Sequence, residues 1–251
     1  MKSSIIKTGT MLASFLLAAA CLSTHAEVKL PAIFSDGMVM QQQTNANLWG
    51  TATPNKKVTI TTSWYGKQYV AAADKNGAWK LSVSTPKAGG PYTVTFDDGS
   101  KKTLNNILIG ELWLCSGQSN MEMPMKGFKN QPVENANMDI LHSKNPKIRL
   151  FTVKRTSTLT PQTDVIGSWK EATPANVRDF SATAYYFGRL INEIVEVPVG
   201  LVVAAWGGSA CEAWMTADWL KAFPDAKIPQ SEADIKSKNR TPTVLYNGML
   251  H

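Results

Sequence analysis

The stretch Ile107–Asn120, ILIGELWLCSGQSN, changes the character of the chain. Eight nearly continuous apolar residues run from Ile107 to Leu114 and stop on a small polar cluster around Ser119. A run of that kind suits a strand covered on both faces, as in a parallel sheet, whereas a half-exposed strand alternates apolar with polar. Upstream the chain does alternate. Val58–Thr62, Tyr69-Val70, Trp79–Val83 and Tyr92–Phe96 are short strand candidates. Turn signals separate them at Asp36-Gly37, Thr53-Pro54-Asn55, Asn76-Gly77, Gly89-Gly90-Pro91 and Asp98-Gly99. Residues 27–107 are expected to form a small β-sandwich.

Downstream the period lengthens. Lys147–Val153 is a second strand candidate, and Pro198–Ala205 a third. Between them Phe180–Val195 carries Phe180, Ala184, Phe187, Ile191 and Ile194 at helical spacing, which predicts a helix burying that face. Strand, helix, strand is the pattern of an α/β layer, expected over 108–251. Phe223–Thr243 is polar and broken by prolines, so it reads as a long surface excursion.

Composition narrows the class. With 43% hydrophobic and 18% charged residues the chain is a globular protein and not a disordered one. Residues 1–26 read as a signal peptide: Lys2 and Lys7, the apolar run Met11–Ala20, then a small residue at Ala26. The protein is therefore expected to be exported, periplasmic or extracellular, with acylation of Cys21 the lesser alternative. Nothing later is long and apolar enough to span a membrane. Loss of Lys2 and Lys7 with that segment lowers the formal charge from +7 to +5, and the remaining cations are scattered, which argues against nucleic acid as a partner. Cys115 and Cys211 sit in apolar-to-small contexts and read as buried free thiols. No Cys/His spacing suggests a metal, and no cofactor is expected.

In open α/β sheets ligands bind beyond the carboxyl ends of the strands. Two such ends carry unusual residues: Ser116-Gly117-Gln118-Ser119-Asn120 and Trp206-Gly207-Gly208-Ser209. A serine nucleophile needs exposure on a tight turn, a base, and donors for the oxyanion. Gly117 permits the turn, Ser119 offers hydroxyl and N–H, and Gly207 and Gly208 let backbone approach closely. A turn or helix cap at Ser119 is the alternative that these residues alone leave open.

Gly117–Met121, GQSNM, resembles the nucleophile block of the sialate O-acetylesterase family, of the SGNH/GDSL hydrolases. Leu30–Val39 (LPAIFSDGMV), Gly77-Ala78-Trp79, Gly90-Pro91-Tyr92, Val197–Leu201 through Trp206-Gly207-Gly208, Glu212–Met215 and Tyr246–Met249 resemble further family segments in the same order. The resemblance implies a flavodoxin-like α/β fold after the sandwich. It implies a carbohydrate O-acetylesterase in which Ser119 attacks the acetyl carbonyl, and the N–H groups of Ser119 and of Gly207 or Gly208 bind the oxyanion. Gln118, in place of the commoner Asp, and Asn120 would support the loop. O-acetylated sialic acid is the implied substrate, with acetylated hemicellulose as the variant. A non-catalytic glycan-binding protein using Trp49, Trp64 and Trp79 is the competing reading. The family's late Gly-Glu and Asp-x-x-His blocks find no match. His25 falls in the signal segment, His142 reads as a surface residue, and His251 has no Asp at the family's spacing. The expectation is an N-terminal portion of a longer esterase, with little activity in 27–251 alone.

Overall fold

The structure, a computed structural model, describes residues 27–251. The expected signal segment, with Cys21 and His25, lies outside the described residues. The strands are β1 (Val39–Gln41), β2 (Asn45–Thr51), β3 (Lys57–Thr62), β4 (Gln68–Ala72), β5 (Ala78–Ser84), β6 (Gly89–Asp97), β7 (Lys101–Gly117), β8 (Asn145–Thr152), β9 (Trp169–Ala172) and β10 (Val199–Ala205). The helices are α1 (Ser119–Glu122), α2 (Ala136–Leu141), α3 (Pro174–Val177), α4 (Ala182–Val195) and α5 (Ala217–Leu220).

β7 organises the molecule. Its 17 residues are long enough to serve two neighbourhoods. β6 pairs antiparallel with it as far as Gly89↔Ile109, and β10 pairs parallel with it from Val199↔Glu111 to Ala205↔Gly117. One mixed sheet results, in the order β4-β3-β6-β7-β10-β8-β9, with β1 also on β7. A separate ribbon, β2–β5, lies over the first part. Leu48, Val58, Ile60, Trp79, Val83 and Phe96 fill the space between, and the same apolar cluster continues to Phe151 and Ala204. The point between residues 107 and 108 falls inside β7, so the core is continuous across it.

Besides β1, which is parallel to β7, the parallel strands follow the order β7-β10-β8, with the last of these in sequence at the centre. A flavodoxin-like order would put the first strand there. β10 is buried along nearly its whole length, as a strand paired on both edges and covered on both faces must be. β9 was not legible as a strand: it is four residues at the sheet edge, antiparallel to β8.

α4 forms where helical spacing predicts it, but with a rotated buried face. Ala184, Tyr185, Gly188 and Asn192 face the sheet. Phe187 is partly exposed against Trp113, and Ile194 is 69% exposed. The helix sits close at Gly188, where a Cβ would stand 2.5 Å from Leu201 Cδ1. The buried Asn192 is satisfied, accepting from Asn145 Nδ2 at 2.8 Å and donating to Val197 O at 2.7 Å.

Both described cysteines are free. Cys115 is buried, and burial pushes its thiol pKa up. Cys211 is exposed, contrary to expectation, because it opens the surface 3₁₀ turn Cys211–Trp214. Of the tryptophans proposed to bind glycans, Trp79 is core, Trp64 donates its Nε1–H to Ser84 O, and Trp49 is 37% exposed, edge-on to Phe34. No helix among the described residues is long and apolar enough to cross a membrane.

Candidate active site

Strand register brings the two polar clusters together. β7 and β10 end side by side at Gly117 and Ala205, and Trp206 N–H donates to Gly117 O at 3.1 Å. Gln118-Ser119 therefore leaves one strand beside Trp206-Gly207-Gly208 leaving the other. A Cβ at Gly117 would approach Met121 Cβ to 3.2 Å, which explains the glycine before this turn. Ser119 opens α1, a single turn closed by Glu122 N–H to Gln118 O and Met123 N–H to Ser119 O, both 2.9 Å. Met123, preceding Pro124, leaves the helical region and ends it.

Ser119 is exposed, and its hydroxyl donates to Gln118 Oε1 at 2.9 Å. Its N–H has no hydrogen-bond partner among the described residues. Gly208, at φ +71°, donates its N–H to the same Gln118 Oε1 at 3.2 Å. The Gly207 N–H is engaged elsewhere, by Glu122 Oε2 at 2.8 Å. Glu122 forms an ion pair with Arg155, whose guanidinium lies over the Trp206 ring. The loop carbonyls are held too, Gly207 O by Asn239 Nδ2 at 2.9 Å and Gly208 O by Arg240 Nη1 at 3.2 Å. Asn120 contributes through its backbone, its carbonyl accepting from Thr183 Oγ1 at 2.9 Å.

A cleft of about 400 Å³ opens next to α1 at the carboxyl ends of β8 and β10, lined by Glu122, Lys126, Lys154, Arg155, Asp179 and Ser181. Lys126 pairs with Asp179, while Lys154 has no ion-pair partner among the described residues.

Neither described histidine bonds to Ser119. His142 Nδ1 meets Met138 O at 2.9 Å at the exposed end of α2, and His251 Nδ1 meets Gln162 O at 3.1 Å. No group of His, Cys, Asp or Glu among the described residues could hold a metal ion.

Glu122, Arg155, Asn239 and Arg240 were not singled out from sequence. Glu122 stands three residues after Ser119, a spacing that puts both on one helical face. Arg155 follows the β8 carboxyl end, where site residues gather. Asn239 and Arg240 come from the polar excursion, which carries no comparable signal.

No protein-family model matches the chain. Human sialate O-acetylesterase is 28% identical over 239 residues, covering 87% of this chain and 44% of the relative. The rat sialate O-acetylesterase is 30% identical over 259 residues, covering 85% and 47%. The crystal structure of a carbohydrate acetylesterase from Xanthomonas citri superposes with a TM-score of 0.78 at 34% identity, covering 89% of this chain and 48% of that one. The chain thus spans a little under half the length of the relatives it matches. The matches run along 85–89% of the chain at 28–34% identity, in sequence and in fold: the chain belongs to the sialate O-acetylesterase family.

Proposed function

We propose that the protein is an exported carbohydrate O-acetylesterase of the SGNH type, with Ser119 as nucleophile and O-acetylated sialic acid as substrate. The observation that carries this reading is the register of β7 and β10, which sets an exposed serine hydroxyl against a glycine loop with backbone N–H donors. In this reading Ser119 Oγ adds to the acetyl carbonyl and its proton passes to a base. The tetrahedral oxyanion collapses, the sugar oxygen leaves with a proton, and acetyl-Ser119 remains. Water then releases acetate by the reverse proton path. One preorganised oxyanion donor typically lowers such a barrier by about 3 kcal/mol. The base is assigned to no described residue, since His142 and His251 bond to backbone carbonyls instead of Ser119. Lys154, without an ion partner at the cleft, supports an anionic sugar. Residues 27–107 would then be a supporting β-unit, and 108–251 the part that carries the nucleophile.

Acetate release from O-acetylated sialic acid and from acetylxylan, with exogenous imidazole as a stand-in base, tests the proposal. Release from the sialic acid ester, absent in Ser119→Ala, is the expected result. Faster release from acetylxylan moves the substrate to hemicellulose. Release that persists in Ser119→Ala removes the nucleophile.

A further inference from the structure

All four polar backbone groups of Gly207 and Gly208 are held by side chains, and the two that hold N–H groups differ in kind. Glu122 is an ionised carboxylate, mostly buried and paired with Arg155. Separating it from Gly207 would break a charge-assisted bond at 2.8 Å and disturb an ion pair stacked on Trp206. Gln118 is neutral and exposed, and its bond to Gly208 is longer, at 3.2 Å. The orientation of its amide follows from chemistry, because a backbone N–H only donates and must face Oε1. That oxygen accepts from Ser119 Oγ and Gly208 N–H at once. A point near both the nucleophile and an oxyanion donor is where a reacting acyl oxygen has to sit.

We propose that Glu122 is the positioning residue that holds the glycine loop through Gly207 N–H, and that Gln118 is a displaceable occupant of the acyl-oxygen position at Gly208 N–H. This rests on the reading of Ser119 as nucleophile. It leaves Ser119 N–H and Gly208 N–H as the oxyanion donors and gives Gly207 a different task. A Cβ on Gly207 would stand 2.5 Å from Glu122 Oε2 and 3.5 Å from Ser119 Oγ, so its bare α-carbon keeps open the space over the nucleophile. Substrate entry then exchanges one neutral acceptor for another at Gly208, while the loop stays fixed.

Amide hydrogen exchange at Gly207 and Gly208, read by NMR on the protein and its variants, tests both halves. Gln118→Ala should speed exchange at Gly208 about fivefold, the equivalent of one neutral hydrogen bond, and leave Gly207 unchanged. Glu122→Ala should speed Gly207 by roughly tenfold or more and loosen Gly208 with it. Glu122→Gln, which keeps an acceptor oxygen and guards against a folding defect in the alanine variant, should restore most of the Gly207 protection. Titration with acetate, the reaction product, should shift the Gly208 and Ser119 amides and the Gln118 side-chain amide more than Gly207. Deprotection of Gly207 by Gln118→Ala, or a larger acetate response at Gly207 than at Gly208, overturns the proposal. Ser119→Ala should keep the exchange pattern, so a failed nucleophile would show in the acetate-release assay and not here.

Discussion

Removing the Arg149 side chain should destabilise the protein far more than removing its ion-pair partner. Arg149 lies on β8 and is 3% exposed. Its guanidinium donates to Pro146 O at 2.9 Å, Gly37 O at 3.2 Å and Asn106 Oδ1 at 3.1 Å, and pairs with Glu171 at 3.2 Å. Burial lowers the Arg149 pKa, and Glu171 partly offsets that. The residue thus ties the Asp36-Gly37-Met38 turn and β7 at Asn106 to β8. Pro146 O and Asn106 Oδ1 lie on exposed residues and can be hydrated after Arg149→Ala, but Gly37 is buried. An orphaned buried acceptor costs about 1–3 kcal/mol. The vacated side-chain volume adds about 1–2 kcal/mol in the range seen for core truncations. Arg149→Ala should therefore cost about 2–5 kcal/mol, and Arg149→Met, which refills the volume, about 1–3 kcal/mol. Glu171, 45% exposed on its side chain, should cost under about 1 kcal/mol when replaced by Ala. Urea unfolding at fixed m reads these differences as shifts in midpoint. A loss below about 1 kcal/mol for Arg149→Ala, or equal losses for Arg149→Ala and Glu171→Ala, would refute the assignment.

Three further outcomes follow from the packing. Tyr186 hydroxyl is pushed from 10.0 up to about 12 by burial and by its bond to Asp139 at 2.6 Å, so the stability it contributes is present below pH 10.0 and lost as pH rises toward about 12. Asp139, held low chiefly by Tyr186 and Arg189, contributes stability present above 3.8 and lost as pH falls through its lowered value. Urea midpoints for Tyr186→Phe should show a weaker decline at both ends, at alkaline pH and below 3.8. Thiol titration should label Cys211 at once and Cys115 only on unfolding, and simultaneous labelling would contradict the buried placement of Cys115. Gly188→Val should cost at least about 1–3 kcal/mol, because the helix cannot stay on Leu201 with added volume, whereas Leu190→Ala on the exposed face should stay within about 1 kcal/mol.

What was legible depended on whether a residue's own neighbours reveal its environment. β3 to β6 alternate because one face is buried, and β10 is continuous because two are; β7 is buried on both faces only over Ile107–Gly110, and its apolar run goes on into Trp113 and Leu114, which are exposed. β9 is too short to show a period, and β2 mixes Asn with Trp49 on an outward face. Of the α4 face read from the spacing, Phe180 and Ala184 are buried, but Phe187 and Ile194 are exposed, because the close approach to Leu201 favours Gly188 over larger residues that hydrophobicity alone ranks higher. At the site, the turn at Gly117–Ser119 was visible because it interrupts an apolar run. The approach of Gly207 and Gly208 followed from where β10 ends. The holders Asn239 and Arg240 arrive from a polar segment some thirty residues on, where nothing local marks them.

Peptide-mapping mass spectrometry after brief exposure to p-nitrophenyl acetate with imidazole, quenched in acid, tests Ser119 most directly. An acetyl group on Ser119, missing in Ser119→Ala, is the predicted result. Acetylation confined to lysines or to another hydroxyl, with Ser119 unmodified, would contradict its role as nucleophile.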